Sequence, residues 1–211
     1  MPAHGLADVL DLSRAPAQLQ RGVAIFVPSP LGDDLQVLDL QHGHRQTLKR
    51  MKRPANIEWV HRTIQKLRTT IPGLAIRSTF IVGYPGETEA EFQTLMEFVN
   101  DLKFDRLGAF EFSFETGTAS EPLADPIPQP VKSERRRRLM ELQERISLQK
   151  NLEFVGQTLD VIIEGTGDGL SVGRSYRDAP EIDGTVIVEN ELAVGEIAPV
   201  RITGAMAHDL T

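Results

Sequence analysis

The sequence predicts a mixed chain, an α/β unit followed by a small all-β unit. Three observations carry that reading. Residues 37–114 alternate between short β-branched runs and segments whose apolar residues recur at helical spacing, the pattern of strands joined by crossover helices. From residue 155 the texture changes to short β segments separated by glycine and acidic turns, the spacing of a small barrel of about 55 residues. With 211 residues, 40% apolar and 25% charged, the chain has enough apolar material for two cores.

Taken in order, residues 1–36 are broken by Pro2, Pro16, Pro28 and Pro30; they are expected to be poorly ordered, with one strand candidate at 23–27. A short strand is expected at 35–40, then a basic helix over 41–53 that Pro54 closes. Asn56 caps the next helix, in which Ile57, Val60, Ile64, Leu67 and Ile71 share a face before Pro72-Gly73 stops it. Residues 75–82 form a run without polar alternation after Thr79, as in a strand buried on both faces of a parallel sheet. Thr88 then caps a helix and Glu91 completes a capping box, with Phe92, Leu95, Met96, Val99 and Leu102 on the apolar face. A strand at 106–114, a proline-rich connector at 122–130 and a long helix at 131–154 finish the α/β unit. Strands are expected at 158–164, 171–176, 185–188 and 198–203 in the β unit.

The stretch from Ile76 to Thr88 holds the most chemical information. Gly83 and Gly86 bracket Tyr84-Pro85, so the strand ends in a tight turn where missing side chains let a ligand approach the backbone. Ligands favour the carboxyl ends of such strands, yet a plain strand-to-helix turn reads the same way. The run Arg135 to Arg138 suits nucleic acid, but the interleaved Glu134, Glu141 and Glu144 also fit a solvated helix face. His42 and His44 lie on one side of an extended segment without a third ligand nearby, and no nucleophile motif accompanies any histidine.

Zero cysteines exclude disulfides, thiolate zinc sites and cysteine-ligated iron–sulfur clusters within this chain. No apolar stretch reaches the roughly 20 residues of a membrane span, and the N-terminus lacks a secretory layout, so the cytoplasm is the expected location. Residues 153–211 hold eleven acidic side chains against Arg174, Arg177 and Arg201, which places the whole formal charge deficit of −7 in the β unit. Such a surface repels phosphate backbones and attracts basic partners.

Several blocks together resemble a known family. They are Gln41-His42 with Leu48 to Pro54, Phe80 to Thr88, Phe104-Asp105-Arg106 with Gly117-Thr118, Arg138 to Gln143, and Gly173 to Gly184. From about Val37 onward the chain resembles the carboxyl-terminal part of radical S-adenosylmethionine methylthiotransferases of the RimO type, which modify an aspartate of small-subunit ribosomal protein S-twelve. The resemblance implies a partial, TIM-like radical-SAM barrel over 37–152 and a TRAM domain, a small OB-like β-barrel, over 153–211.

By that resemblance Gln41, His42, Gly83, Pro85, Gly86 and Glu87 line an S-adenosylmethionine pocket, Glu87 accepting hydrogen bonds from the cofactor. A carboxylate favoured by the helix N-terminus is the alternative for Glu87. Arg174, Tyr176, Arg177, Asp178, Glu181 and Asp183 are the implied contacts to a basic ribosomal protein, a solvated loop being the alternative. The family's 4Fe-4S clusters need cysteines that are absent, and the chain lacks a Pro-Leu pair before Gln41. The chain is therefore expected to be a truncated or misassigned reading frame, inactive alone. An RNA-binding TRAM module and a fragment without function are the competing readings.

Overall fold

The structure, a computed structural model, describes residues 24–26, 36–37, 40–117, 120–123, 127–179 and 183–211. The α/β unit contains β1 (Ala24–Phe26), β2 (Gln36–Val37), α1 (Arg45–Arg50), α2 (Ile57–Thr70), β3 (Ala75–Val82), α3 (Glu89–Leu102), β4 (Arg106–Glu111) and α4 (Gln129–Leu152). Its sheet runs in the order β2-β1-β3-β4. β3 and β4 are parallel, with Phe80 opposite Ala109, and α3 makes the crossover between them. β1 pairs antiparallel with the start of β3 through Ile25 and Ile76. It falls inside the segment expected to be poorly ordered; most of that segment lies outside the described residues.

Local chemistry accounts for the helices. Asn56 Oδ1 accepts from the Trp59 N–H at 3.0 Å at the start of α2. Thr88 and Glu91 form the expected capping box on α3, the Glu91 carboxylate accepting from the Thr88 N–H at 2.8 Å. The basic helix expected over 41–53 shrinks to α1. Its first residues are drawn to the sheet instead: the Gln41 carbonyl accepts from the Ile81 N–H at 2.9 Å, and Gln41 forms a parallel bridge with Phe80. Gln41 has φ of 27°, a left-handed value that a non-glycine residue adopts only under constraint.

One core binds the unit together, with Phe80, Phe92, Leu95, Phe104 and Leu139 fully buried between β3, α3 and α4. β3 departs from the expected strand buried on both faces. Ile76, Ser78, Phe80 and Val82 are buried toward the helices, while Thr79 on the other face is exposed. Among the described residues that face is open from Thr79 onward, while nearer the start of the strand Arg77 pairs with Asp183 of the β unit.

The β unit contains β5 (Thr158–Gly167), β6 (Leu170–Ser175), β7 (Val186–Val188) and β8 (Ile197–Arg201). All pairings are antiparallel, in the order β7-β6-β5-β8. Leu159, Val161, Ile163, Val186 and Ile202 form a second core that shares no residue with the first. Among the described residues the sheet is not closed into the expected barrel, since β7 and β8 are not paired to each other. No helix among the described residues is long and apolar enough to cross a membrane.

Candidate functional site

Two sites emerge at opposite ends of β3, a strand whose eight residues span roughly 25 Å. At its C-terminal end lies the glycine turn. Gly83 and Gly86 adopt φ of 74° and 77°, which only glycine takes without strain. Glu87 turns beneath the turn and is fully buried. Its Oε2 accepts from the Gly83 N–H and from Arg135 of α4 at 3.2 Å. Its Oε1 faces His42 Nε2 at 3.2 Å. The His44 N–H donates to His42 Nδ1 at 2.9 Å, so Nε2 is the ring atom that carries the proton and donates to Glu87. Arg135 also donates to the Glu87 carbonyl at 3.1 Å. One carboxylate thus joins the strand end at His42, the turn and α4.

That geometry gives three of the expected pocket residues partners within the chain. Both oxygens of Glu87 are engaged by the chain's own donors, and Glu91 does the capping. His42 is fully buried with both ring nitrogens engaged, so it supports the turn from below. The space freed at Gly83 belongs to α4: a Cβ there would sit 2.5 Å from Lys132 Cγ. Lys132 continues past the turn to donate to the Phe112 carbonyl at 3.0 Å. Pro85 is buried, Gly86 is exposed and Gln41 is half-buried, so Gly86 and Gln41 retain exposure at this end.

The open face of the sheet was missed in the sequence. Thr79 and Ile81 of β3 share it with Gly108 and Phe110 of β4, and Phe110 is 62% exposed. Its signal was the polar pair Arg77 and Thr79 at alternate positions of an otherwise apolar run.

Beside the turn sits a second charged group. Arg50 donates to both oxygens of Glu91, at 3.0 and 2.7 Å, and His44 Nδ1 lies 3.4 Å from Glu91. Burial raises the Glu91 carboxyl, but the bonds from Arg50 and from the Thr88 N–H outweigh it and leave the pKa below its ordinary 4.5. Burial lowers His44 from 6.5, with Glu91 opposing in part.

The four arginines 135–138 are all engaged. Arg136 donates to the Ala109 carbonyl at 3.2 Å, Arg137 pairs with Glu134 and Glu141, and Arg138 reaches Glu89 at 2.7 Å and stacks over Phe92. The run is a helix face with its own acids.

At the N-terminal end of β3 the two units meet. Arg106 donates to Asp178 at 2.6 Å, with side chains 8% and 3% exposed. Arg77 pairs with Asp183, and Tyr176 Oη donates to the Gly73 carbonyl at 2.9 Å. Arg177 is buried over the Phe154 ring at 4.0 Å, bonds Asn151 at 3.2 Å and lies 3.5 Å from Asp105. Burial lowers the Arg177 pKa and raises that of Tyr176.

Four of the six residues assigned to partner contact therefore face the chain's own α/β unit. Glu181 lies outside the described residues. Of the five that are described, only Arg174 points outward, paired with Glu164 at 2.5 Å. Around it on the outer face of the β sheet stand Ile162, Val172, Ile187 and Ile197, the last 66% exposed.

A radical-SAM region followed by a TRAM domain is the class to which fold and sequence point. Residues 29–99 match the Radical SAM superfamily and residues 155–211 match the TRAM domain. The particular likeness is to ribosomal protein uS12 methylthiotransferase RimO, and this chain corresponds to the carboxyl-terminal part of such proteins. It is 49% identical to the one from Chloroflexus aurantiacus over 82% of this chain and 39% of that protein. It is 47% identical to a Thermus thermophilus protein over 85% of this chain and 42% of the other. For Burkholderia vietnamiensis the figures are 46%, 85% and 41%. The chain thus spans about two-fifths of the length of the curated relatives it matches.

Proposed function

We propose that this chain provides the closing wall and the docking module of a uS12-type methylthiotransferase. The sheet of β3 and β4 is read as the last part of a radical-SAM barrel over 37–152, and residues 153–211 as the TRAM barrel. The observation that carries the reading is the match to the uS12 enzymes, which extends over both units of the chain. S-adenosylmethionine lies against the open face at Ile81 and Phe110 and the outer backbone of the turn at Gly86, with Gln41 at the rim. An exposed aromatic ring beside half-buried aliphatic groups suits a flat apolar base, and Gly86 leaves backbone accessible. Glu87, His42 and Arg135 hold that turn in shape.

Cluster chemistry does not come from these residues. The chain has no cysteine and offers no thiolate to an iron–sulfur cluster, so alone it does not carry out the methylthiolation of its relatives. Its own contribution is binding. The outer β-sheet face, with Ile162, Val172, Ile187 and Ile197 inside a strongly acidic unit, fits a basic protein with apolar side chains of its own. The engaged arginines of α4 leave little to attract RNA.

Fluorescence anisotropy with labelled uS12 and with tRNA, at low and high salt, tests the reading. The expected result is salt-weakened binding of uS12 without comparable binding of tRNA. Tight, salt-sensitive tRNA binding would overturn it in favour of an RNA-binding TRAM module. Absence of binding to both would favour a fragment without function.

A further inference from the structure

We propose that residues 175–179 together with Asp183 form a latch between the two units, and that Arg106, Asp178 and Asp183 are positioning residues that set where the β unit stands relative to the glycine turn. The loop makes three anchors to the starts of β3 and β4: Tyr176 to Gly73, Asp178 to Arg106 and Asp183 to Arg77. A fourth side chain, Arg177, turns back onto Asn151 and Phe154 at the end of α4. The connecting helix and the loop therefore grip the same joint from two directions.

The loop is also folded upon itself. Asp178 Oδ2 accepts from Ser175 Oγ at 2.8 Å and from the Ser175 N–H at 3.2 Å, leaving Oδ1 for Arg106. Asp183 Oδ2 accepts from the Ala179 N–H at 2.8 Å, leaving Oδ1 for Arg77. Each carboxylate thus fixes its own loop with one oxygen and the opposite unit with the other. Preorganised acceptors lose little freedom on docking. A swinging linker needs exposed polar residues that few contacts cross; here Arg106, Arg177 and Asp178 are each more than nine-tenths buried. Opening the joint would part three ion pairs that cross between the units, Arg77 with Asp183, Arg106 with Asp178 and Arg177 with Asp105.

A fixed joint means that a partner on the outer face of β5, β6 and β8 is held at one distance from the turn at the far end of β3. That consequence rests on the function proposed above; the latch itself does not.

The absence of cysteine makes a clean measurement possible. Spin labels at Gln65→Cys on α2 and Ala193→Cys in the β unit, both exposed positions, report the separation of the units by pulsed dipolar spectroscopy in the full chain. The expected result is one narrow distance, lost to a broad distribution when Asp178→Asn and Asp183→Asn are combined, while amide spectra of Phe80 and Val161 show both cores intact. A narrow distance that survives the double substitution overturns the latch. So does a broad distribution in the unsubstituted chain, which is read without any variant that needs to fold. Should the double variant fail to fold, Asp183→Asn alone is expected to widen the distribution, and an unchanged width overturns the proposal. A narrow distance in a chain that fails to bind uS12 leaves the latch standing and removes only the function.

Discussion

The two ends of β3 solve the same problem, a buried carboxylate, in opposite ways. At the turn a single acid, Glu87, serves the Gly83 N–H, His42 and Arg135. At the joint three acids share the work with five cations, and each acid has a second partner within its own neighbourhood, as Asp105 does with the Ile76 N–H at 2.9 Å. A hub concentrates the consequence of losing one residue; a network spreads it. The turn is accordingly the more fragile region, although it lies inside one unit and the joint spans two.

The largest effect expected from this contrast is at the hub. Glu87→Ala leaves Arg135 buried without its carboxylate and frees the Gly83 N–H and His42, a loss of about 3–5 kcal/mol by comparison with other broken buried pairs. Urea unfolding followed through Trp59, the single tryptophan, which packs half-buried on the first core, measures it. A cost near that of a surface substitution would mean that the turn is held by packing and that the hub idea is wrong.

Only part of this contrast was legible in the sequence. Asn56, Thr88 and Glu91 announced their helices because a cap and its partner lie three residues apart. β3 was legible from its composition, but not its open face, because burial depends on what packs above a strand. The hub was half visible: the glycine spacing located the turn, whereas the aim of Glu87 depended on Arg135, distant by 48 residues. The joint was invisible for the same reason. Arg106 and Asp178 are 72 positions apart, and an exposed loop of mixed charges reads like a docking surface until its partners are known.

A smaller effect is expected from a single loss at the joint. Tyr176→Phe removes the hydrogen bond to the Gly73 carbonyl and leaves the ion pairs in place, a cost of about 1 kcal/mol. The same urea titration, read on amide signals of both cores, should show the two units still unfolding together. If Tyr176→Phe costs as much as Glu87→Ala, the joint is itself a hub and the comparison fails.

Mild acid should separate the two regions most gently. The turn has His44 beside it, whereas at the joint His208 contributes its backbone carbonyl to Arg106 and its side chain is exposed. His44 has a native pKa below its ordinary 6.5, chiefly through burial. The unfolded chain therefore binds a proton at higher pH than the native one, and stability is full above that ordinary value and declines as pH falls through the window beneath it. Glu91, also depressed below its ordinary 4.5, adds a second decline at lower pH as its bonds to Arg50 and the Thr88 N–H are lost. Amide exchange at Glu91 and Glu87, whose N–H groups bond Thr88 and Tyr84, should accordingly quicken between about pH 7 and about pH 5, after correction for intrinsic rates, while Ser175 and Asp178 hold their protection. The effect is small because His44 is partly exposed and water screens it. Equal loosening at both ends would show that His44 and Glu91 do not set the acid response and that the contrast between turn and joint fails.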